Sequence, residues 1–229
     1  MSGSFGSGRT LLLAAVLAAG AVCWLGCGGD DGDGSNAVSN GTPPGGGSSE
    51  TVPLGGLKWM KKNLNVETAE SWCYGEGGQA YDHDNGEFVT LTPSQIQENC
   101  NTYGRLYTWE AAKSACKSVG MRLPTHAEWD ALVTAAGGSP TAGSKLKSST
   151  GWNSYSGISS NDQYGFSALP GGGRYPIGFY DAGDAGYWWT APEYSGGNAY
   201  NRHMYYNYDF VGEHYVDKDI GYSVRCVKD

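Results

Sequence analysis

Apolar residues recur at helical spacing in two consecutive stretches near the middle of the chain. The first stretch starts after Thr108, a typical N-cap residue, and ends at Gly120. The second begins with Thr125 and Glu128, which form a capping box in which each side chain satisfies a free backbone N–H group. Its apolar stripe ends at Gly137 and the glycine that follows. The pattern therefore predicts two short amphipathic helices.

Beyond the second helix, short runs of aromatic and β-branched residues alternate with polar ones. The runs cover residues 187–189, 200–208 and 222–226, and turns rich in glycine or asparagine separate them. A period of two with Tyr, Trp and Val is typical of strands in a small antiparallel sheet. Residues 145–147 and 151–153 are expected to form short extended pieces. Helices followed by strands predict an α+β domain.

The start of the chain has the pattern of an export signal. Arg9 supplies a positive charge, residues 11–19 form an apolar run, and a small residue precedes Cys27. The run is too short to span a bilayer as a helix. Leu25-Gly26-Cys27 is similar to the bacterial lipobox, whose cysteine carries the lipid, although Trp24 stands where that pattern prefers leucine. Simple secretion and an uncleaved anchor remain alternatives.

We expect residues 1–27 to be a lipoprotein-type signal segment with the lipid anchor on Cys27. By analogy with enteric lipoproteins, Gly28 after the cysteine favours the outer membrane or cell surface. Residues 28–56 are almost entirely Gly, Ser, Asp, Asn, Pro and Thr, a composition that cannot bury enough apolar surface to fold. They are predicted to form a disordered linker, and residues 57–229 the folded domain.

Composition narrows the partners of this domain. Glycine accounts for 37 of the 229 residues, more than twice its usual share of roughly 7%, which favours long irregular loops over a helix bundle. The formal net charge of −8 gives no electrostatic reason to bind nucleic acid or an anionic membrane surface. Neither is expected as a partner, so the lipid anchor is the predicted route to the membrane.

The cysteines predict disulfide bonds in the folded domain. Of the six cysteines in the chain, Cys23 falls in the signal segment and Cys27 is assigned to the lipid. The four that remain are Cys73, Cys100, Cys116 and Cys226. An exported protein meets an oxidising compartment, so an even set of this kind predicts two disulfides, with three possible pairings.

The helix pair also carries a resemblance to a known fold. Arg122-Leu-Pro-Thr-His-Ala-Glu-Trp129 resembles the motif that opens the second helix in the C-type-lectin-like fold of formylglycine-generating and related sulfatase-modifying enzymes. Four further segments extend the resemblance: Gly104-Arg-Leu-Tyr-Thr-Trp-Glu-Ala-Ala, Tyr164-Gly-Phe-Ser-Ala-Leu-Pro-Gly-Gly, Tyr187-Trp-Trp-Thr-Ala and Gly221-Tyr-Ser-Val-Arg-Cys-Val-Lys. From residue 57 to its C-terminus, the chain resembles the Fibrobacter succinogenes major paralogous domain.

The resemblance implies a C-type-lectin-like α+β domain with two helices, small antiparallel sheets and long Gly-rich loops. Its first strand, starting at Leu57, would run antiparallel to the last. C-type-lectin-like domains tie the first helix to the last strand, which favours pairing Cys116 with Cys226. Cys73 would then pair with Cys100 and close one loop.

An enzymatic function is weighed first, because the resembling fold includes an oxidase. Formylglycine-generating enzymes use two neighbouring cysteines near the C-terminus to bind copper and the substrate thiol, whereas here that region holds only Cys226. The chain also has no Gly-x-Ser-x-Gly elbow, His-Glu-x-x-His motif or phosphate-cradling glycine loop. We therefore expect no catalytic residues, and an oxidase-related enzyme is the less favoured alternative.

Metal and cofactor chemistry has little support in the residues. Sugar-binding C-type lectins hold calcium through Glu-Pro-Asn or Gln-Pro-Asp followed by Trp-Asn-Asp, whereas this chain offers Ala191-Pro192-Glu193 and no Trp-Asn-Asp. The acidic run from Tyr81 to Glu87 fits no calcium loop, and one histidine among hard oxygen ligands is no zinc signature. It is expected to be an exposed loop. No cofactor or metal is predicted, although a calcium requirement stays open.

A binding surface is the remaining candidate. Residues 198–209 are rich in Tyr and Asn, as in binding loops, where tyrosine gives a large rigid contact area and asparagine adapts its hydrogen bonds. The segment also resembles the variable segments of C-type-lectin-like receptors in diversity-generating systems. The ligand-binding residues predicted from it are Tyr200, Arg202, Tyr205, Asn207, Tyr208 and Asp209.

Strand geometry leaves part of this segment for the core. Successive side chains on a strand point to opposite faces, so Tyr200 and Arg202 would share one face and Tyr205 the other. Trp188 and Trp189 are likewise expected to divide between core and surface.

The expected function is a surface-anchored, non-catalytic binding or adhesion module. A carbohydrate or cell-wall polymer is the leading ligand, by analogy with the fibre-degrading bacteria in which the resembling family is abundant. A surface protein is the alternative ligand.

Overall fold

A computed structural model describes residues 50–229 of the chain, so the signal segment, Cys27 and most of the linker lie outside the described residues. Within this range the chain forms four helices and several sheets, which makes the domain α+β as predicted. Two helices more than predicted are present. None of the helices in residues 50–229 has the length and apolar content needed to cross a membrane.

The helices are α1 Pro93–Tyr103, α2 Trp109–Ser118, α3 His126–Ala135 and α4 Ser139–Leu146. The strands are β1 Thr51–Leu54, β2 Leu57–Met60, β3 Ser71–Trp72, β4 Ala80–Asp82, β5 Glu87–Val89, β6 Leu106–Tyr107, β7 Gly171–Tyr175, β8 Gly178–Ala182, β9 Ala185–Glu193, β10 Asn198–Tyr205, β11 Gly212–Asp217 and β12 Val227–Lys228.

The largest sheet has seven strands in the order β11-β10-β9-β7-β8-β4-β5. Most neighbours are antiparallel, but β4 runs parallel to β8 and β7 runs parallel to β9. The expected antiparallel sheet is therefore a mixed one. After the β7–β8 hairpin the chain turns back beside β7 instead of pairing with β8, and this return makes β9 parallel to β7.

A three-stranded sheet of β1, β2 and β12 closes the domain at its termini. Strand β2 pairs antiparallel with β12, with Trp59 opposite Val227, as the resemblance implied. Strand β1 lies inside the segment predicted as linker. It is ordered because Val52 is buried against the core and the carbonyl of Leu54 accepts a hydrogen bond from Trp59 Nε1 at 3.0 Å. The folded chain thus starts before residue 57.

The two predicted helices begin as expected. Thr108 caps α2 by accepting from the Ala111 N–H group, and Thr125 and Glu128 form the capping box of α3. The short extended piece expected at residues 145–147 is wrong in part, because Lys145 lies in α4. Helix α4 packs closely, since a Cβ atom at Gly143 would come within 2.6 Å of the Asp209 carbonyl oxygen.

Both predicted disulfides are present in the structure. Cys116 in α2 is joined to Cys226, just before β12, and Cys73 is joined to Cys100 in α1. The first bond ties a helix to the end of the chain across 110 residues, and the second spans 27 residues. Together they connect α1 and α2 to the loop-rich parts of the domain.

Both tryptophans at the centre of β9 are fully buried, so the expected surface position for one of them is wrong. Trp188 packs with Trp59 and Trp129 in one core cluster, whereas Trp189 packs with Tyr107 in another. Each indole N–H group has a partner: Trp188 Nε1 donates to Asn63 Oδ1 at 3.0 Å, and Trp189 Nε1 donates to the Tyr107 carbonyl at 2.7 Å. Strand β9 is thus covered on both faces.

Candidate functional site

Strand β10 carries three of the six predicted binding residues, and its alternation separates them. Arg202 and Met204 face α3 and the core cluster around Trp129. Tyr205 packs instead against the core cluster that contains Tyr187. The predicted segment therefore contributes to two surfaces on opposite faces of the large sheet.

The guanidinium group of Arg202 is engaged inside the protein. Its side chain is only 8% exposed, and Nη2 lies 2.8 Å from Asp130 Oδ1 and 2.7 Å from Glu213 Oε2. His126 is half-buried beside it, and its Nδ1 lies 2.6 Å from the same Glu213 oxygen. Arg202 thus ties α3 to β10 and β11 through Nη2, while its Nε is buried without a hydrogen-bond partner in residues 50–229.

Tyr200 belongs to an exposed group of rings that we call the outer cluster, formed by Tyr194, Tyr200 and Tyr215. Tyr194 and Tyr215 are stacked with ring centroids 3.6 Å apart, and Tyr200 lies edge-on to Tyr194 at 5.4 Å. Tyr194 is 48% exposed and Tyr215 is 39% exposed. The outer cluster lies near the free edge of the sheet, because Tyr215 belongs to β11 and β11 is the edge strand of the seven-stranded sheet.

Tyr205 and Tyr208 belong to a longer set of rings on the opposite face, which we call the aromatic strip. Its members are Tyr175, Tyr180, Tyr187, Tyr205, Tyr208, Phe210 and Tyr222. The centroids of neighbouring rings lie between 4.7 and 6.4 Å apart. Tyr187 and Tyr222 are buried and stacked on each other, while Tyr208 is 49% exposed. The strip therefore has a buried base and an exposed margin.

Hydroxyl groups from the strip meet near Asp181. Tyr187 donates a hydrogen bond to Asp181 Oδ2 at 2.9 Å, and the Tyr175 and Tyr222 hydroxyl oxygens are 3.2 Å apart. Burial raises the pKa of Tyr187 and of Tyr222 well above the ordinary value, and neighbouring Tyr175 and Asp181 add to the shift. These phenols stay protonated, so each keeps a hydrogen-bond donor.

An open concavity of about 510 Å³ adjoins one end of the strip. Of the described residues, Tyr175, Pro176, Ile177, Tyr180 and Asp181 line it. Ile177, at the tip of the β7–β8 hairpin, is 74% exposed. The concavity offers aromatic and aliphatic walls with Asp181 at its margin, and this combination suits a ligand that has both apolar and hydroxyl faces.

Asn207 and Asp209 lie half-buried in the loop after β10, on either side of Tyr208. Lys147 anchors this loop, because its buried ammonium group donates a hydrogen bond to the Tyr208 carbonyl at 2.6 Å. Burial lowers the pKa of Lys147 to about 8, and the Asp209 carboxylate acts in the opposite direction. Oδ1 of Asp209 is buried without a hydrogen-bond partner in the described part of the chain. Asp209 thus faces the protein more than the solvent.

The sequence indicated Tyr205 and Tyr208 as candidate binding residues but not the rings that extend their surface. Tyr175, Tyr180 and Asp181 come from the β7–β8 hairpin, which pairs with β9 and not with β10. Their distance along the chain hides their proximity in space. The one signal in the sequence was the spacing of tyrosines around the turn at Pro176.

The acidic run from Tyr81 to Glu87 contains the turn between β4 and β5, and residues 83–87 are exposed, as predicted. Asp82 stabilises the turn by accepting hydrogen bonds from the backbone N–H groups of Asp84 and Asn85. Across residues 50–229, no three His, Cys, Asp or Glu side chains are grouped so that they could hold a metal ion.

Fold and site together define a disulfide-bonded α+β domain that displays aromatic side chains on two faces of one sheet. The family model of the Fibrobacter succinogenes major domain matches residues 52–228, and the chain belongs to this family. A comparison with curated proteins yields no match.

Proposed function

We propose that this protein is a lipid-anchored, non-catalytic binding module whose ligand is a polysaccharide, and that the aromatic strip makes the contact. One observation carries the proposal: the ring pairs Tyr175–Tyr180 and Tyr205–Tyr208 are joined through the buried rings of Tyr187 and Tyr222, and the first pair lines an open concavity together with Asp181. Aromatic rings stack on the apolar faces of sugars, and tyrosine hydroxyls and carboxylates bond to sugar hydroxyls.

The strip supports a binding role better than the outer cluster does. In the outer cluster, Tyr194 and Tyr215 stack on each other, so each ring has one face covered by protein. The strip is longer and borders a concavity. Tyrosine also offers a large contact area with little loss of conformational entropy on binding. In this proposal Arg202 has a structural role, and Tyr205 and Tyr208 keep the binding role predicted for them.

We assign the domain a C-type-lectin-like fold. Two features support the assignment: the disulfide from α2 to the residue before β12, and the antiparallel pairing of β2 with β12 that brings the ends of the domain together. The catalytic alternative has less support, because Cys226, the cysteine nearest the C-terminus, is bonded to Cys116 and is not free to hold copper or a substrate thiol.

Export and anchoring complete the proposal. Two disulfides fit a protein that folds in an oxidising compartment outside the cytoplasm. We assign Cys27 as the lipid attachment site, and the part of the predicted linker that precedes β1 as the segment that would hold the domain away from the outer membrane.

The proposal is tested by presenting the purified domain, residues 50–229, to a panel of soluble and insoluble glycans. A parallel pull-down from extracts of the same cell surface tests the protein alternative. We expect saturable binding to at least one polysaccharide, and retention that free oligosaccharide of the same type reverses. Capture of one surface protein, together with no retention on any glycan, would replace the polysaccharide with a protein ligand.

A further inference from the structure

The concavity at the end of the aromatic strip has an unusual charge environment. Asp181 is the one charged residue among the described residues that line it, and its side chain is 26% exposed. Oδ2 of Asp181 accepts from the Tyr187 hydroxyl, and Oδ1 lies 3.4 Å from His83 Nε2. No lysine or arginine of residues 50–229 lies within salt-bridge distance of Asp181.

Negative charge continues on the other side of His83. Asp184 Oδ2 lies 3.8 Å from His83 Nε2, and Asp184 lines a second concavity of about 420 Å³ together with Asp82 and Asp84. The other described residues that line this second space are Tyr74, Ala80, Tyr81, His83, Val89, Leu91, Gln95, Asn153 and Ala182, and they include no lysine or arginine. His83 therefore stands between two carboxylates that have no permanent positive charge beside them.

Arg174, the arginine closest in sequence to the residues of the concavity, stacks on a tryptophan. Arg174 precedes Tyr175 in β7, and its guanidinium carbon lies 3.8 Å from the centroid of the Trp72 ring. Stacked on that ring, the cation makes a cation–π contact. His83 is the basic group of residues 50–229 that lies within salt-bridge distance of Asp181.

We propose that the polysaccharide bound at the strip is built from amine-bearing sugars, and that Asp181 is the residue that selects them. This inference rests on the proposed function and deepens it. A sugar ring would stack on Tyr175 or Tyr180 in the concavity, and its ammonium group would donate to the Asp181 carboxylate. Ammonium-to-carboxylate hydrogen bonds are stronger than those between neutral groups.

The same geometry disfavours acidic polysaccharides. A uronate carboxylate in the concavity would meet Asp181 with like charge, and the charge of Asp184 behind it would add to the repulsion. Neutral or N-acetylated sugars would keep the stacking contact but lose the charged hydrogen bond. We therefore expect affinity to decrease from amine-bearing to neutral to uronate ligands.

Asp181→Asn is the variant that tests this selection. Asp181 has a φ angle of +69°, in the left-handed region that asparagine tolerates as well as aspartate. The amide oxygen of asparagine can still accept from the Tyr187 hydroxyl, so the variant is expected to fold with the same backbone. Asp219→Asn, which removes one exposed charge from the loop after β11, is the matched control.

Calorimetric titration of the domain with chito-oligosaccharides, their N-acetylated counterparts and oligogalacturonates of equal length gives the readout. We expect Asp181→Asn to weaken binding of the amine-bearing ligand about fivefold, to leave the N-acetylated ligand within about twofold, and to reduce the salt dependence of the former. Asp219→Asn should change none of these affinities by more than about twofold.

Distinct results separate this inference from the proposed function. Equal affinity for the three ligands, or an unchanged preference in Asp181→Asn, overturns the role of Asp181 while polysaccharide binding stands. Tighter binding of the oligogalacturonate overturns the charge selection outright. Absence of binding to every glycan in the panel removes both proposals together.

Discussion

His203 is a titratable residue whose environment has a measurable consequence. Its ring lies beside the aromatic strip, 5.1 Å from Tyr205 and 6.3 Å from Phe210. Burial, with smaller contributions from the nearby His214 and Arg202, lowers the pKa of His203 to about 4. The folded domain therefore keeps this imidazole neutral at physiological pH.

The sign of the pH dependence follows from this shift. The unfolded chain binds a proton at His203 near pH 6.5, whereas the folded domain binds it only near pH 4. Between these values the unfolded state holds more protons, so the free energy of unfolding should fall as the pH falls from about 6.5 to about 4. Urea denaturation of wild type and His203→Gln across this window measures the contribution, and the variant should lose less stability than wild type.

The exposed His214 is the matched control for this measurement. His214→Gln should follow the wild-type profile closely. A His203→Gln variant with the same acid sensitivity as wild type would contradict the account of the buried imidazole.

Single residues show where sequence reasoning stops. Alternation along β10 correctly put Arg202 and Tyr205 on different faces, but alternation does not reveal what covers each face. Arg202 was predicted as a ligand contact and is instead enclosed by Asp130 and Glu213, which come from α3 and β11. For the same reason one of Trp188 and Trp189 was wrongly expected on the surface: both faces of β9 are covered by other parts of the protein, and both tryptophans are buried.

At the scale of elements, local signals located α2 and α3 well. Thr108, Thr125 and Glu128 act as the caps that the sequence indicated. The motif from Arg122 to Trp129 is explained by structure: Arg122 makes two hydrogen bonds to Glu128, at 2.7 and 2.8 Å, and Trp129 is fully buried. These residues carry the family resemblance because they build the fold.

Helices α1 and α4 were not predicted, because the sequence of neither shows an apolar stripe at helical spacing. Helix α1 buries only Cys100 among its residues, and α4 contains Gly143, a poor helix former. Their start signals were present, since Pro93 and Pro140 occupy the first turns and Thr92 forms a capping box with Gln95. Capping without periodicity was too weak a signal on its own.

The disulfides differ in the length of chain that they close, so they should differ in their effect on stability. In the chain-entropy model, closing the 110-residue separation contributes about 4.8 kcal/mol and closing the 27-residue separation about 3.6 kcal/mol. The paired variant Cys116→Ala/Cys226→Ala should therefore lose more stability than Cys73→Ala/Cys100→Ala. Denaturant unfolding of both variants under identical conditions tests the order, and a larger loss for the shorter loop would contradict it.

For the whole molecule, the proposed lipid anchor decides where the binding domain works. Cys27→Ala should move the protein from the membrane fraction to the soluble fraction, because the variant has no cysteine at position 27 to acylate. Two or three acyl chains on that cysteine would give stable anchoring, whereas a single chain gives only marginal binding. Mass spectrometry of the wild-type N-terminus should find the acyl groups on Cys27. Cys23→Ser is the matched control and should stay with the membrane, and an unmodified Cys27 would refute the anchor.

The central claim is that the aromatic strip binds the ligand, and a comparison of two double variants tests it most directly. Tyr205→Ala/Tyr208→Ala shortens the strip, whereas Tyr194→Ala/Tyr215→Ala removes the same number of tyrosines from the outer cluster on the opposite face. Both variants are first compared with wild type by thermal unfolding, and Tyr208→Ala alone serves if the first pair is destabilised.

The measurement is the dissociation constant of each variant for the polysaccharide that binds wild type. The account predicts a loss of more than about tenfold for Tyr205→Ala/Tyr208→Ala, because both rings of one ring pair of the strip are removed, and a change within about twofold for Tyr194→Ala/Tyr215→Ala. Unchanged binding in the first variant with a loss in the second would contradict the account and move the site to the outer cluster.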